Sequence, residues 1–437
     1  MTLSLASYTS KIKTAISHSG FFSPSSLKNV LFVTGNESAD LDSCSSAILA
    51  AYLYTVALKH DKAPQTPRQP KLELVVPLIN IPRKDLELRP DISYLLHKAG
   101  VPTHAIAFVD DFSDEPTPAF VFLVDHNRLN GTTATLFAEN NVIGVLDHHA
   151  DESYYTNTAV PRTVRTTGSC MSLVVNFWRD QLGEELAQTA LQKEGAVAAL
   201  LGLGPILADT SRLRQRVEED DTRAAEFIWN AIEEGSKDSS HHHKGVGPES
   251  VSKHVHDFDK FCKDLGSKLS EKKHDISALS GMDLLRKDYK EWANEDESIK
   301  SIDSLPGNFK IGISTLPASL EAAWAQCSKG AEEFINDMRA WAKQRSVDLS
   351  VVMCSHKDAE KNHHRELMLV AAGNMTPALV DDVVSKIKDQ LQLTVNPKGT
   401  EAERGAYTFE QGDITANRKL IAPLLRNVVQ GVPLSST

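Results

Sequence analysis

Four short stretches in the first half of the chain end apolar runs with groups that bind cations. Asn36, Asp40, Asp42 and Ser43 follow the run 29–34 (NVLFVT). Asp125, His126 and Asn127 follow 120–124, and Asp147, His148 and His149 follow 142–146. Asp209 and Thr210 follow 204–208. A lone Asp after a strand is more often a turn or capping residue than a ligand. Four such clusters in equivalent positions are harder to explain as caps, because carboxylates gathered at one point repel unless cations are present. A pair of divalent metals is the simplest solution. Oxygen-rich sites with one or two imidazoles suit Mg²⁺ or Mn²⁺ better than zinc held by thiolates. Paired cations about 3.5–4 Å apart can share a carboxylate, activate a water and brace an in-line displacement at phosphorus.

Something must bring these clusters together, and the apolar pattern supplies it. Segments 29–34, 72–78, 105–109, 120–124 and 142–146 read as buried strands, and 45–58, 171–182 and 196–207 as helices. Strands alternating with helices predict an α/β fold around a parallel sheet, whose ligands lie beyond the carboxyl ends of the strands. The second half reads as mixed α/β. Charged helical patterns run over 251–292, strands fall at 309–314, 349–354 and 366–371, and helices at 332–345 and 378–391. The hydrophilic stretch 233–250 separates the halves, and its His241–His243 triplet reads as solvated loop rather than a ligand set. The expected organisation is a metal-binding catalytic domain over 1–235, a loop over 236–250, and a helical connector with a substrate-binding domain over 251–437.

Composition narrows the class. With 437 residues, 41% apolar and 24% charged, the chain can bury two ordinary cores and is expected to be soluble. Five scattered cysteines without CxxC pairing argue against a disulfide framework or structural zinc and fit a reducing compartment. A net charge of -11 argues against general nucleic-acid binding, although bound metals can still make one cleft attractive to a polyanion. No apolar run reaches the roughly 18–20 residues of a membrane span, so no membrane association is expected. The first acidic residue is Glu37, after a Ser-rich opening. That raises a mitochondrial matrix protein as the alternative to a cytoplasmic one. The plainer reading is a surface helix with a loose stripe of Leu3, Leu5, Ile12 and Ile16.

These motifs resemble those of the DHH phosphoesterase superfamily. Asn36-x-x-x-Asp40-x-Asp42-Ser43 is similar to its first motif, Asp125 to its second, Asp147-His148-His149 to its third and Asp209 (in ILADT) to its fourth. The second half lacks a glycine-rich GGGH motif. Instead LLRKDYK at 284–290, IGIS at 311–314 and Asn417-Arg418-Lys419 resemble the DHHA2 domain of family II inorganic pyrophosphatases, prune-like proteins and eukaryotic cytosolic exopolyphosphatases. The resemblance implies an active site in the cleft between the two domains. It implies two or more divalent cations, Mg²⁺ foremost with Mn²⁺ or Co²⁺ as alternatives. Asp40 and Asp125 would hold one metal, and Asp42, Asp125, His148 and Asp209 the other, with Asn36 contributing where pyrophosphatases carry a histidine. His149 would face the substrate and Asp147 would orient an imidazole. Lys290, Arg418 and Lys419 would clamp phosphate oxygens, with Arg128 and His126 as further contacts. Asn36 and the long second domain point to the exopolyphosphatase branch, a monomer releasing orthophosphate from the ends of inorganic polyphosphate. The alternatives are a pyrophosphatase, a prune-like hydrolase of short polyphosphates and nucleotides, or a prune-like adaptor without activity. The intact acidic set weighs against the adaptor.

Overall fold

The computed structural model describes residues 3–18, 20–66, 71–113, 115–237, 257–293 and 309–429. The His241–His243 triplet and the 251–256 part of the connector lie outside the described residues. The chain divides into two compact units, 1–273 and 274–437.

The first unit is built on six strands: β1 (Val30–Thr34), β2 (Leu74–Ile79), β3 (Ala107–Phe108), β4 (Phe120–Val124), β5 (Val142–Asp147) and β6 (Arg162–Val164). All pairings are parallel and the order is β3-β2-β1-β4-β5-β6. β1 is buried at every position and β5 likewise. That explains their unbroken apolar runs, since a parallel strand faces packed side chains on both sides. The strand order reverses direction between β1 and β4, and such a switch point leaves a crevice at the carboxyl ends.

The helices of this unit are α1 (Leu5–Ile16), α2 (Leu41–Lys59), α3 (Pro90–Lys98), α4 (Gly131–Leu136), α5 (Cys170–Leu182), α6 (Glu184–Asp209), α7 (Glu219–Ser236) and α8 (Phe258–His274). Several depart from expectation. α1 has the exposed face expected of a surface helix, but its apolar stripe is firmly packed, with Leu5, Tyr8 and Ile12 buried and the Tyr8 hydroxyl donating to the Val75 carbonyl (3.1 Å). α2 has the length and apolarity of a membrane span, but 94% of that window is buried as a core helix. The expected strand 105–109 shrinks to two residues between short 3₁₀ turns. α6 is broken at Lys193–Ala196, where Glu194, Gly195 and Ala196 adopt left-handed backbone. The expected helix 196–207 forms the second half of α6, so Asp209 closes a helix whereas the other three clusters follow strands. α3 and α7 were unanticipated, and α7 extends through Ser236 into the expected loop. The described part of the connector, α8, belongs almost wholly to this unit.

The second unit carries β7 (Tyr289–Ala293), β8 (Lys310–Leu316), β9 (Leu349–Lys357), β10 (His363–Ala371), β11 (Leu393–Val395) and β12 (Ala406–Gln411) in the order β11-β12-β10-β9-β8-β7. Only β8 and β9 run parallel, so the sheet is mixed. α9 (Gly281–Lys287), α10 (Leu320–Trp324), α11 (Ala331–Arg345), α12 (Pro377–Leu391) and α13 (Arg418–Val429) complete it. The helical pattern expected up to 292 stops at Lys287, and Tyr289 to Trp292 enter β7. All five cysteines are free and buried, as expected of a chain without a disulfide framework.

Candidate metal centre

Three of the acidic clusters meet at the switch point. β1 is followed by Gly35, where an added Cβ would lie 2.6 Å from the Ser43 Cβ, so only glycine lets the chain turn this tightly against α2. Asp40 caps α2 by accepting from the Ser43 amide (3.0 Å), which sets Asp42 in the first turn. Asp125 follows β4 with a φ of 62°, a left-handed conformation that costs a non-glycine residue on the order of 1–3 kcal/mol. Strain of this kind persists where the surroundings fix a side chain in place.

Asp125 is at the centre. Its Oδ2 accepts from Asn36 Nδ2 (2.8 Å) and from the Ser43 hydroxyl. Its Oδ1 lies 3.1 Å from His148 Nε2 and 3.6 Å from His149 Nδ1, but neither approach is aligned as a hydrogen bond. This buried oxygen thus has no hydrogen-bond partner among the described residues. Ligand atoms of Asp125, His148 and His149 all lie within 4.8 Å of one another. His148 is oriented through Nδ1, which faces the Thr167 carbonyl (3.1 Å) and leaves Nε2 toward Asp125. His149 Nδ1 meets Asp147 Oδ1 (2.9 Å), while Asn127 Nδ2 holds the other Asp147 oxygen (2.5 Å).

Asp42 is fixed from a distant part of the chain. α5 begins at Cys170 without a side-chain cap of its own. Asp42 accepts from its first amides, Cys170 (2.6 Å) and Met171 (3.0 Å), and from the Ser169 hydroxyl (2.9 Å). An anion at a helix N-terminus is favoured by the unpaired amides there.

The electrostatics favour bound cations. Burial, with Asp40 and Asp42 nearby, pushes Asp125 up to about 7, against the opposing pull of His148. Burial raises Asp42, and burial with the charges of Asp42, Asp40 and Asp125 raises Asp209 well above the carboxylate range. That mutual repulsion places Asp209 with the other three. Burial draws His148 down, but Asp125 and Asp42 outweigh it and lift the imidazole to about 10. His149 is raised chiefly by Asp147. Burial pushes Asp147 up, but hydrogen bonds from His149 and Asn127 overcome it and leave it below its usual value. Four crowded carboxylates, an orphaned oxygen and an imidazole turned toward it fit divalent cations, whose charge would replace the borrowed protons.

The other sequence candidates are placed differently. Asn36 spends its amide on Asp125, and its Oδ1 accepts from the Ser38 amide (2.8 Å). His126 is buried with Nδ1 on the Val124 carbonyl (2.9 Å), and burial lowers its pKa, so it presents no cation to a phosphate. Arg128 is half exposed, stacked over Tyr154 and 3.6 Å from Glu152. Lys290 lies on β7 in the second unit. There Arg418, at the start of α13, bonds Asp288 Oδ1 (2.8 Å), while Lys419 is exposed. Sequence reasoning gave no role to Thr167, Ser169 or Arg89. Arg89 donates to the Ser38 carbonyl (2.7 Å) and so pins the loop between β1 and α2. Only the Ser before α5 carried a signal, as a helix-start residue.

Comparison with known proteins finds two family domains in the chain. The DHH family N-terminal domain matches residues 30–203, and the DHHA2 domain matches 267–428. The chain carries a DHH family N-terminal domain followed by a DHHA2 domain. This DHH–DHHA2 protein is 29% identical over 421 residues to a Schizosaccharomyces pombe protein named "Putative exopolyphosphatase", with 93% of each chain covered. It is 23% identical over 402 residues to human "Exopolyphosphatase PRUNE1", covering 91% of this chain and 75% of that one. A Methanococcus jannaschii crystal structure described as a "putative family II inorganic pyrophosphatase" superposes with a TM-score of 0.52. It covers 92% of this chain and 100% of that one at 16% identity, a likeness of fold alone.

Proposed function

We propose that this DHH–DHHA2 protein is an exopolyphosphatase that releases orthophosphate from the ends of inorganic polyphosphate with the help of divalent cations. The observation that carries the phosphohydrolase reading is the gathering of Asp40, Asp42, Asp125 and Asp209 with His148 at one switch point. Polyphosphate as the substrate is supported by relatives that share nearly the whole chain and bear the exopolyphosphatase name.

In this reading Asp40, Asp42, Asp125, His148 and Asp209 hold the cations, and the preponderance of oxygen donors favours Mg²⁺, with Mn²⁺ as a substitute. When bound, the cations supply an activated water and neutralise charge building on the transferred phosphoryl group. Asn36 and Ser43 keep the Asp125 carboxylate turned so that one oxygen stays available. Asp147 fixes His149 by its Nδ1, and the raised proton affinity of His149 lets it carry a proton to the departing phosphate near neutral pH. Lys290, Arg418 and Lys419 act as phosphate-binding cations, Arg418 through a guanidinium fork that matches two oxygens at once.

The test is orthophosphate release with Mg²⁺, measured separately on long-chain polyphosphate and on pyrophosphate, with product lengths followed by gel. Orthophosphate from polyphosphate without mid-length fragments is the expected result. Release from pyrophosphate alone would make the protein a pyrophosphatase, and release from neither would refute both activities.

A further inference from the structure

The segment 165–169 between β6 and α5 supports two of the proposed cation-binding side chains at once. The Thr167 carbonyl sets the ring of His148 (3.1 Å). The Ser169 hydroxyl and the amides of Cys170 and Met171 hold Asp42. What holds the segment is Asp221, a fully buried carboxylate in the first turn of α7. Asp221 Oδ2 accepts from the amides of Gly168 (2.8 Å) and Glu218 (2.8 Å). Its Oδ1 accepts from the Ser169 amide (3.2 Å) and the Ser172 hydroxyl (2.6 Å).

The plain explanation for Asp221 is a capping box, with its side chain on the amide of Glu218 just before α7. That role uses one donor of the four. The other three come from 168–172, which no capping box requires. Gly168 shows how tightly the pieces fit. An added Cβ there would lie 2.5 Å from the Arg216 carbonyl, 2.5 Å from Thr210 Cγ2 and 2.8 Å from Asp221 Oδ2. Thr210 and Arg216 bound the turn that follows Asp209, and Arg216 donates back to the Asp209 carbonyl (2.7 Å). The supports of Asp42, His148 and Asp209 therefore meet at Gly168 and Asp221.

We propose that Asp221, with Gly168 packed against it, is a positioning residue for the cation site, holding Asp42 and His148 in register with Asp209. The proposal rests on the metal-centre reading above. Asp221 touches none of the cation-binding side chains and acts through the backbone of 167–171 and the Ser172 hydroxyl. A carboxylate is required because three of the four partners are backbone N–H groups that can only donate, and an amide would turn an N–H toward at least one of them. Outer partners of metal ligands commonly change affinity by about 10–100-fold when removed.

The experiment measures Mn²⁺ binding to the full-length chain by the EPR signal of free Mn²⁺, together with the melting temperature of the metal-free protein. Asp221→Asn and Gly168→Ala should weaken Mn²⁺ binding by about 10–100-fold in protein that is folded at the assay temperature. Ser172→Ala, which removes one donor and leaves the carboxylate, should give a smaller loss in the same direction and serves if the first two fail to fold. Glu219→Gln, an exposed neighbour in the same turn, should leave binding unchanged. A lower melting temperature with unaltered Mn²⁺ affinity in folded variants would reduce Asp221 to a helix cap and overturn the proposal. Absence of Mn²⁺ binding in the unsubstituted protein would instead overturn the metal-centre reading itself.

Discussion

The two sheets of this protein carry charge in opposite ways. In the first unit, acidic groups are drawn into the mouth of a parallel sheet, where Asp125 is 2% exposed and Asp42 3%. Their own repulsion and burial drive their pKa values up. In the second, the cations sit at the surface or half-buried, and Arg418 is already paired with Asp288. A partly exposed ion pair contributes about 0–1 kcal/mol, so Arg418 can exchange its carboxylate for a phosphate at little cost. Removing a partner from a buried charge costs several times more. In the proposed reading the first unit holds buried carboxylates whose repulsion bound cations would relieve, and the second holds cations whose exposed pairing a phosphate could replace. The strained backbone of Asp125 belongs with the former.

The comparison breaks most directly at Asp125. Asp125→Ala removes the one carboxylate that faces Asn36, Ser43, His148 and His149 together. Turnover of polyphosphate should fall by about 10³-fold or more, as expected when a member of an interdependent catalytic set is lost. Phosphate release at saturating Mg²⁺ measures it, and near-normal activity would remove Asp125 from the centre of the site. Arg418→Ala should have a smaller and different effect. Loss of a charge-assisted hydrogen bond to phosphate should raise KM by about tenfold. Mn²⁺ affinity should stay unchanged. If Arg418→Ala instead weakened Mn²⁺ binding, the division of labour between the sheets would be wrong.

How much of this was legible in the sequence follows from which interactions are local. The central strands of the parallel sheet were readable because burial on both faces demands continuous apolar runs, whereas the half-buried edge strand β6 was not, and four clusters stood out because they end apolar runs or follow them. Asp40 as a cap of α2 was likewise local. The left-handed turn at Asp125 was not, since no glycine marks it and the constraint comes from β5 and α5. Asp42 as the cap of α5 joins residues 127 to 129 positions apart, and no spacing rule reaches that far. Asp221 read as an ordinary acidic residue opening a helix, because three of its four donors come from a segment about 50 positions earlier.

The most sensitive test of the first unit's character needs no substrate. Asp125 sits near 7 in the folded protein, above the ordinary carboxylate value of 3.8, and His148 near 10, above 6.5. For a raised group, the stabilising contribution is complete below the ordinary value and disappears as pH climbs through the folded value. Asp125 thus loses its contribution between about 4 and 7, and His148 between about 6.5 and 10, and both act in the same direction. Chelated protein should melt roughly 5 °C lower at pH 8.5 than at pH 5.5. Cations require the deprotonated ligands, so the gain in melting temperature on adding Mn²⁺ should grow over the same interval. Calorimetry of chelated and Mn²⁺-loaded samples across that range separates the two slopes. A chelated protein whose stability stayed level or rose with pH would mean that the buried carboxylates do not carry the repulsion assigned to them. The contrast between the two sheets would then lose its physical basis.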